Sequence, residues 1–167
     1  MIAIIDYDAG NLRSIQRALL ETGAEVTITS DPKEVVAADR VVFPGDGHAK
    51  TAMETLRARG LVDAIHTSVN AGTPFLGVCV GMQLLFEHME EGPTAGLGVL
   101  PGTVSKLPDT VKVPQIGWNT VQFRDDSPLQ RIFRDLSMLR VHGFLDLETG
   151  SQALGRVSLG LPPQCVV

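Results

Sequence analysis

The chain has few cysteines, few aromatic residues and no excess of basic charge, and each shortage excludes a class of protein. Two cysteines among 167 residues cannot build the disulfide framework of a small secreted domain. Lysine and arginine number 14 against 19 acidic residues, a formal net charge of -5. No basic run interleaved with aromatic residues is present, so we expect no nucleic-acid partner.

Long apolar runs are also missing, and no segment predicts a membrane-spanning helix or a membrane partner. The first residues, Ile2-Ala3-Ile4-Ile5, form a strand pattern rather than the basic and apolar regions of a signal peptide. Together these absences predict a cytoplasmic protein, and we expect neither a metal nor a cofactor. A hydrophobic content of 44% suits a single domain over residues 1–167 with a substantial core.

What the chain does contain, over its first two thirds, is an alternation of short apolar runs and amphipathic segments. Strands are predicted at residues 2–6, 25–29, 40–43 and 73–78, and helices at 11–22, 48–59, 61–70 and 81–90, with a short helix capped by Asp31. This βα repetition predicts a mostly parallel sheet with helices on both faces.

From Gly92 onward, glycine and proline are frequent and the pattern becomes β-rich. Strands are predicted at residues 102–107, 111–116 and 118–123, followed by a short helix within residues 125–136. After Met138 the pattern fades, and residues 154–167 have no clear period. We therefore expect a β-rich C-terminal extension whose last part, about residues 137–167, is divergent or truncated.

The most informative segment is Gly77-Val78-Cys79-Val80-Gly81. It lies between a predicted strand and a predicted helix, which is the cysteine form of a nucleophile elbow. The glycines permit close packing around a strained turn, and the thiol stands at the helix start, where free N–H groups favour a negative charge. From these five residues alone, a buried structural cysteine is an equally good interpretation.

A second sharp turn, Pro44-Gly45-Asp46-Gly47, follows another predicted strand. Ligands bind at the carboxyl ends of strands in an open parallel sheet, and both turns belong at that edge. A thiolate at one turn could attack a carbonyl, while N–H groups from Val80 and from residues 45–47 hold the oxyanion. Taken alone, the second turn is more simply read as an ordinary loop.

The longer run Gly77-Val78-Cys79-Val80-Gly81-Met82-Gln83-Leu84-Leu85-Phe86-Glu87 resembles the nucleophile segment of class I glutamine amidotransferases. Its second half resembles in particular the glutaminase subunits of imidazole glycerol phosphate synthases. Four further segments agree with that resemblance in the same order, over about residues 1–123. They are residues 5–14, the Pro44–Gly47 turn, residues 96–102 and the segment Val113-Pro114-Gln115-Ile116-Gly117-Trp118-Asn119.

The resemblance implies a flavodoxin-like or Rossmann-like α/β fold and the hydrolysis of glutamine to glutamate and ammonia in histidine biosynthesis. It implies a cyclase partner, a (β/α)8 barrel that receives the ammonia. The roles that it implies are Cys79 as nucleophile, Gly45, Asp46 and Val80 as backbone oxyanion donors, Gly47 and Gln83 as glutamine-binding residues, and Asn11 and Trp118 as partner contacts. An ordinary half-buried aromatic is nearly as good an interpretation of Trp118.

The chain departs from this family near its C-terminus, where the family carries a Gln-Phe-His-Pro-Glu-type segment with the general base. No such segment occurs here, and a cysteine nucleophile of this kind needs a base. The four histidines are interpreted as surface residues or as unrelated to the base: His48, His66, His88 and His142. A reading-frame change in the gene is one hypothesis for this tail. Asp46 is a smaller departure, because the family has an apolar residue there.

Three functions remain open on the sequence. The first is an amidotransferase glutaminase subunit. The second is a catalytically impaired remnant or scaffold that keeps the fold, which the missing His-Pro-Glu segment favours. The third is another cysteine hydrolase on the same fold, which the segments around Gln83 and Trp118 disfavour.

Overall fold

The computed structural model describes residues 1–90, 92–106, 115–123, 138–143, 145–149 and 155–158, with side chains described as far as residue 105. The chain divides into two compact units, residues 1–99 and 100–167. The first unit is α/β, and the described residues of the second are β-strands. The expectation of a single domain over residues 1–167 stays a prediction.

Four strands and four helices of the first unit follow one another in the order that the sequence pattern predicts, with two consecutive helices before the last strand. The strands are β1 (Ile2–Ile5), β2 (Val26–Thr29), β3 (Arg40–Phe43) and β4 (Phe75–Gly77). The helices are α1 (Leu12–Leu20), α2 (Pro32–Ala37), α3 (Ala49–Ala58) and α4 (Leu61–Asn70). Helix α2 begins where expected, because the Asp31 carboxylate accepts a hydrogen bond from the Lys33 N–H at 2.8 Å and Pro32 occupies the first turn.

The strands form a parallel sheet in the order β2-β1-β3-β4. The chain moves from β1 to β2 in one direction and then to β3 and β4 in the other. Since such crossovers are right-handed, α1 lies on one face and α2, α3 and α4 on the other. Contacts of α4 with both α2 and α3 agree with this layering. The predicted mostly parallel α/β sheet is confirmed.

The core of this unit lies along the two central strands. Ala3, Ile4 and Ile5 of β1 are fully buried, and Phe43 of β3 is buried as well. A strand covered on both faces needs a continuous apolar run rather than an alternation, which is what β1 supplies. The helices contribute the largest buried side chains opposite these strands: Val35, Met53, Leu56, Leu61 and Ile65.

The helix predicted over residues 81–90 is wrong. Helix α5 (Val80–Gln83) has four residues, and β5 (Phe86–Met89) then pairs antiparallel with β6 (Thr94–Ala95). Leu84, Leu85 and Phe86 are buried in succession, which a helix with one apolar stripe cannot achieve. Their backbone bonds run across the chain instead, with Leu97 N–H donating to the Leu84 carbonyl at 2.8 Å. Short apolar runs cannot be assigned by periodicity alone.

The second unit bears out the β-rich character predicted for the extension. Strand β7 (Leu100–Lys106) pairs antiparallel with β10 (Leu145–Thr149), and β8 (Gln115–Phe123) lies between β9 (Met138–Gly143) and β11 (Gly155–Ser158).

One detail of that prediction is wrong. The predicted break between two strands at residue 117 is absent, because Gly117 continues the ladder of β8 opposite Val141. Residues 111–114 lie outside the described residues. The expectation that about residues 137–167 are divergent or truncated stays a prediction. The helix predicted within 125–136 lies outside the described residues.

Candidate active site

Cys79 occupies the apex of a sharp turn between β4 and α5. Its backbone has φ 53° and ψ -124°, a region that non-glycine residues rarely occupy and that is associated with functional turns. The thiol is free and exposed. Backbone bonds fix the turn on both sides, from Val78 N–H to the Phe43 carbonyl at 2.9 Å and from Met82 N–H to the Cys79 carbonyl at 3.0 Å. The elbow geometry suggested by the sequence is therefore present.

The turn that contains Gly45 packs directly against this elbow. A Cβ on Gly45 would collide with the Gly81 nitrogen and would lie 2.5 Å from the Val80 carbonyl carbon. A Cβ on Gly81 would collide with the carbonyl oxygens of Phe43 and Pro44. Only two residues without side chains allow this approach. The structure thus brings together the two turns that the sequence placed at one sheet edge.

Several N–H groups at this junction are available as donors. Within residues 1–90 and 92–105, the N–H groups of Val80, Gly45, Asp46 and Gly47 make no hydrogen bond. Gly47 adopts φ 77°, a left-handed backbone conformation that favours glycine. Unpaired N–H groups next to an exposed thiol have the composition of an oxyanion hole.

A third segment, the turn between β1 and α1, contacts the Gly45 turn at the same edge of the sheet. The buried Tyr7 hydroxyl donates to the Pro44 carbonyl at 2.6 Å, and the Asn11 side-chain amide donates to the Gly45 carbonyl at 3.4 Å. The Asn11 Oδ1 atom is buried and has no partner among the described residues. Asn11, which the sequence resemblance assigned to a partner surface, therefore also contacts the candidate site.

Arg59, at the end of α3, holds the β1–α1 turn in place. Its guanidinium donates to the Asp6 carbonyl at 2.9 Å and to the Asp8 carboxylate at 2.6 Å. Asp8 has φ 73°, a strained backbone that these contacts help to maintain. Sequence reasoning missed both Arg59 and Tyr7. The signal for Tyr7 was its place just beyond a buried strand, at the ligand-binding edge of the sheet.

Asp46 is exposed, and its carboxylate lies against Gly10, where a Cβ would collide with Oδ2. Burial, followed by the negative charges of Cys79 and Asp46, raises the pKa of Tyr7 well above its ordinary value. Both ionisable groups are therefore near the Tyr7 hydroxyl. The Asp46 carboxylate therefore adds negative charge to the turn that carries the proposed oxyanion donors.

The other predicted site residues are distributed over both units. Gln83 is half-buried at the end of α5, and its N–H donates to the Cys79 carbonyl at 3.1 Å, so it lies one turn beyond the thiol. Trp118 lies on β8, opposite Arg140 of β9. The roles assigned to these residues stay predictions.

The structure places the four histidines on four different elements. His48 is the N-cap of α3, His66 lies on α4, and His88 lies on β5 rather than on the predicted helix. His142 lies on β9.

Other kinds of site are not evident at this edge. Residues 1–90 and 92–105 hold no group of three or more acidic, histidine or cysteine side chains placed to bind a metal. A cleft of about 550 Å³ lies beside α1, lined by residues that include Gly10, Arg13 and Thr27 but not Cys79. None of the helices described is long and apolar enough to cross a bilayer.

Comparison with known proteins places this geometry in context. The family model of class-I glutamine amidotransferases matches residues 3–148. The chain is 49% identical over 130 residues to the imidazole glycerol phosphate synthase subunit HisH of Dehalococcoides mccartyi, covering 77% of this chain and 63% of that protein. It is 42% identical over 147 residues to the HisH subunit of Streptococcus sanguinis, covering 86% of this chain and 71% of that protein.

A solved structure of a glutamine amidotransferase has the same fold. It superposes with a TM-score of 0.73 at 19% identity and covers 98% of this chain and 82% of its own. At that identity the likeness concerns the fold alone. The chain spans less than two thirds of the Dehalococcoides relative, so the activity of a full-length protein does not follow from the match.

Replacing Gly81 by alanine tests the contact between the two turns. The added methyl group collides with two backbone carbonyls that cannot move independently of β3. We expect Gly81→Ala to lower the free energy of unfolding by about 2–3 kcal/mol and to change the rate at which iodoacetamide alkylates Cys79. Urea denaturation and mass-spectrometric labelling measure the two effects.

Gly72→Ala is the matched control. Gly72 also has a positive φ, 75°, but nothing lies within 4 Å of an added Cβ. Its backbone strain costs about 1 kcal/mol, and it should leave the alkylation rate at Cys79 unchanged. Equal alkylation rates in all three proteins would contradict the packing described for Gly81.

The titration of Tyr7 tests the burial of its hydroxyl. It is the only tyrosine in the chain, so absorbance at 295 nm reports on it alone. The pKa of Tyr7 is raised in the folded protein from the ordinary value of 10.0. Native protein should show little phenolate at a pH near 11, where denatured protein is mostly ionised.

The sign of the linked stability follows from the same shift. Because the folded state holds the proton more tightly, this contribution to stability is complete below pH 10 and is lost as the pH rises toward the native pKa. The Tyr7→Phe protein should not show that loss. A native titration midpoint near pH 10, with the far-UV circular dichroism intact, would show that the hydroxyl is not buried.

Proposed function

Because the chain belongs to the class-I glutamine amidotransferase family, we propose that it binds glutamine at the Cys79 elbow and transfers its γ-acyl group to the thiol. Similarity to the HisH subunits of imidazole glycerol phosphate synthase is confirmed by the comparisons. The observation that carries the proposal is the packing of Gly45 on Val80 and Gly81, which gathers unpaired N–H groups beside an exposed thiol.

The proposed reaction has two stages. The Cys79 thiolate attacks the side-chain carbonyl carbon of glutamine and forms a C–S bond, and the oxyanion is held by N–H groups of Val80 and of the Gly45 turn. Collapse of the intermediate breaks the C–N bond, and the nitrogen takes up a proton and leaves as ammonia. Water then cleaves the thioester to glutamate and restores the thiol.

The remaining groups have supporting roles in this proposal. Gln83, one turn beyond Cys79, and Gly47 contact the amino-acid end of glutamine. We propose that the ammonia passes to a (β/α)8-barrel cyclase subunit in histidine biosynthesis, with Asn11 and Trp118 on the surface that faces it. The support is that the similar proteins are themselves subunits of a synthase.

Proton transfer is the part of this reaction without an assigned group. No group among the described residues around Cys79 is assigned as the general base, and a cysteine nucleophile without its base retains only a fraction of its rate. Acylation of Cys79 and complete hydrolysis of glutamine therefore have to be measured separately. A catalytically impaired remnant would acylate slowly and fail to turn over.

Replacing Cys79 by alanine tests the proposed nucleophile. Glutamate release from glutamine is measured with a cyclase subunit of imidazole glycerol phosphate synthase and its nucleotide ligand present. We expect Cys79→Ala to lower the rate by at least about 10³-fold, because the covalent route is lost. Labelling of Cys79 by an alkylating glutamine analogue, competed by glutamine, checks that the glutamine pocket exists.

Glutamate release and labelling of Cys79 together distinguish an impaired enzyme from a protein that does not bind glutamine. Labelling without turnover would identify a formed pocket that lacks its proton-transfer group. If glutamine fails to protect Cys79 from the analogue and turnover equals that of Cys79→Ala, the proposed function is wrong.

Asp46→Asn tests the charge at the oxyanion turn. Removing a negative charge from beside a developing oxyanion should raise the acylation rate of Cys79. An exposed charge at this range contributes on the order of 0.5–1 kcal/mol, or about two- to fivefold in rate. The effect should shrink at about 1 M salt, where charges are screened beyond about 3 Å.

Asp63→Asn serves as its control, because it removes an exposed carboxylate from α4 with the same change in net charge. It should leave the acylation rate unchanged. Equal rates for wild type, Asp46→Asn and Asp63→Asn at low salt would show that the Asp46 carboxylate is directed away from the reacting atoms.

A further inference from the structure

Tyr7 is a buried polar group that the proposed reaction does not use. Its side chain is 3% exposed, and its ring packs against Phe43 with centroids 5.3 Å apart and planes tilted by 56°. The hydroxyl donates to the Pro44 carbonyl at 2.6 Å. This hydrogen bond joins the end of β1 to the start of the turn that supplies the proposed oxyanion donors.

The peptide group between Pro44 and Gly45 connects the hydrogen bond of Tyr7 to the Gly45 N–H. Its carbonyl and the Gly45 N–H belong to one planar trans unit and point in opposite directions. A hydrogen bond that fixes the Pro44 oxygen therefore fixes the direction of the Gly45 N–H. That N–H makes no hydrogen bond within residues 1–90 and 92–105, and Gly45 lies against Val80 and Gly81 at the elbow.

The next peptide group is held in the same manner. Asn11 donates to the Gly45 carbonyl, which sets the direction of the Asp46 N–H. The distance of 3.4 Å makes this the weaker of the two restraints. The short bond from Tyr7 is therefore the firmer support of the turn.

We propose that Tyr7 is a positioning residue for acyl transfer, whose hydroxyl orients the Pro44–Gly45 peptide so that the Gly45 N–H can hold the oxyanion. This inference rests on the proposed function. Tyr7 touches neither substrate nor the reacting atoms, and it acts through the backbone of the turn.

The protonation state of Tyr7 suits this role. Burial, and then the charges of Cys79 and Asp46, raises the pKa of the hydroxyl well above its ordinary value. The group therefore remains a neutral O–H donor when Cys79 is a thiolate. A carbonyl oxygen offers no proton, so the hydrogen bond exists only in this state.

The experiment compares two reactions of Cys79 in the full chain carrying Tyr7→Phe. The γ-(4-nitrophenyl) ester of glutamate acylates the thiol through an oxyanion. Its leaving group, 4-nitrophenolate, departs without taking up a proton, so this reaction does not depend on a general acid. Iodoacetamide alkylates the same thiol by displacement, without an oxyanion. We expect Tyr7→Phe to slow acylation by about tenfold or more, since loss of an oxyanion donor costs about 10²–10³, and to leave alkylation within about twofold.

Ser68→Ala is the matched control, because it removes another buried hydroxyl that donates to a backbone carbonyl, that of Val35. It should leave both reactions unchanged. Tyr7→Phe acylating as fast as wild type would overturn the inference, and so would an equal loss of acylation and alkylation, which indicates general damage to the fold. Wild type acylating no faster than Cys79→Ala would instead refute the proposed function on which the inference rests.

A second variant covers the case in which Tyr7→Phe fails to fold. Since Tyr7 is the only tyrosine, global incorporation of 3-fluorotyrosine alters this hydroxyl alone and makes it a stronger donor. We expect the ¹⁵N chemical shift of the Gly45 amide to change, while that of Gly72 stays constant. An unchanged Gly45 shift would overturn the inference.

Discussion

The contact between Gly45 and the Val80–Gly81 backbone is the constraint on which the rest of the site depends. Two loops that follow different strands meet with no side chain between them, so the Gly45 turn lies in direct contact with the Cys79 elbow. This approach requires β3 and β4 to be neighbours in register, with Phe43 opposite Gly77. It also requires glycine at both positions, since any Cβ would force the loops apart. Sheet topology and two missing side chains thus combine to place the proposed oxyanion donors beside the proposed nucleophile.

The β1–α1 turn is the third component, and it explains how an irregular loop can be held in one conformation. Arg59 fixes this turn through Asp6 and Asp8, and the turn fixes the Gly45 loop through Tyr7 and Asn11. The chain of contacts runs from the end of α3 to the proposed oxyanion donors. Preorganised donors lose little free energy to reorientation during a reaction, which is why such support matters for acyl transfer. Asn11 is also the residue that the family resemblance places at a partner surface.

The family resemblance and the structure of the turn both point to Cys79 as the reactive residue. The family match covers residues 3–148, and the elbow and the Gly45 turn are in direct contact, as the proposed acyl transfer requires. Asp46 replaces the apolar residue that the family resemblance predicts at this position. This difference concerns charge rather than the fold. The proposal therefore separates acylation of Cys79, which the described geometry supports, from complete turnover.

Features that depend on neighbouring residues could be predicted from the sequence, and features that depend on residues distant in the chain could not. Local patterns determined β1 to β4, helices α1 to α4 and the Cys79 turn, because apolar periodicity, Asp31 capping and glycine placement act over a few residues. They did not determine the end of α5, since whether Leu84–Phe86 forms a helix or pairs with residues 96–98 depends on partners distant in the chain. Nor did they reveal Tyr7 and Arg59, whose hydrogen bonds span 37 and more than 50 positions. The sequence by itself specified which residues could react, and only the tertiary structure decided which backbone groups surround them, because sheet order alone brings such distant peptides together.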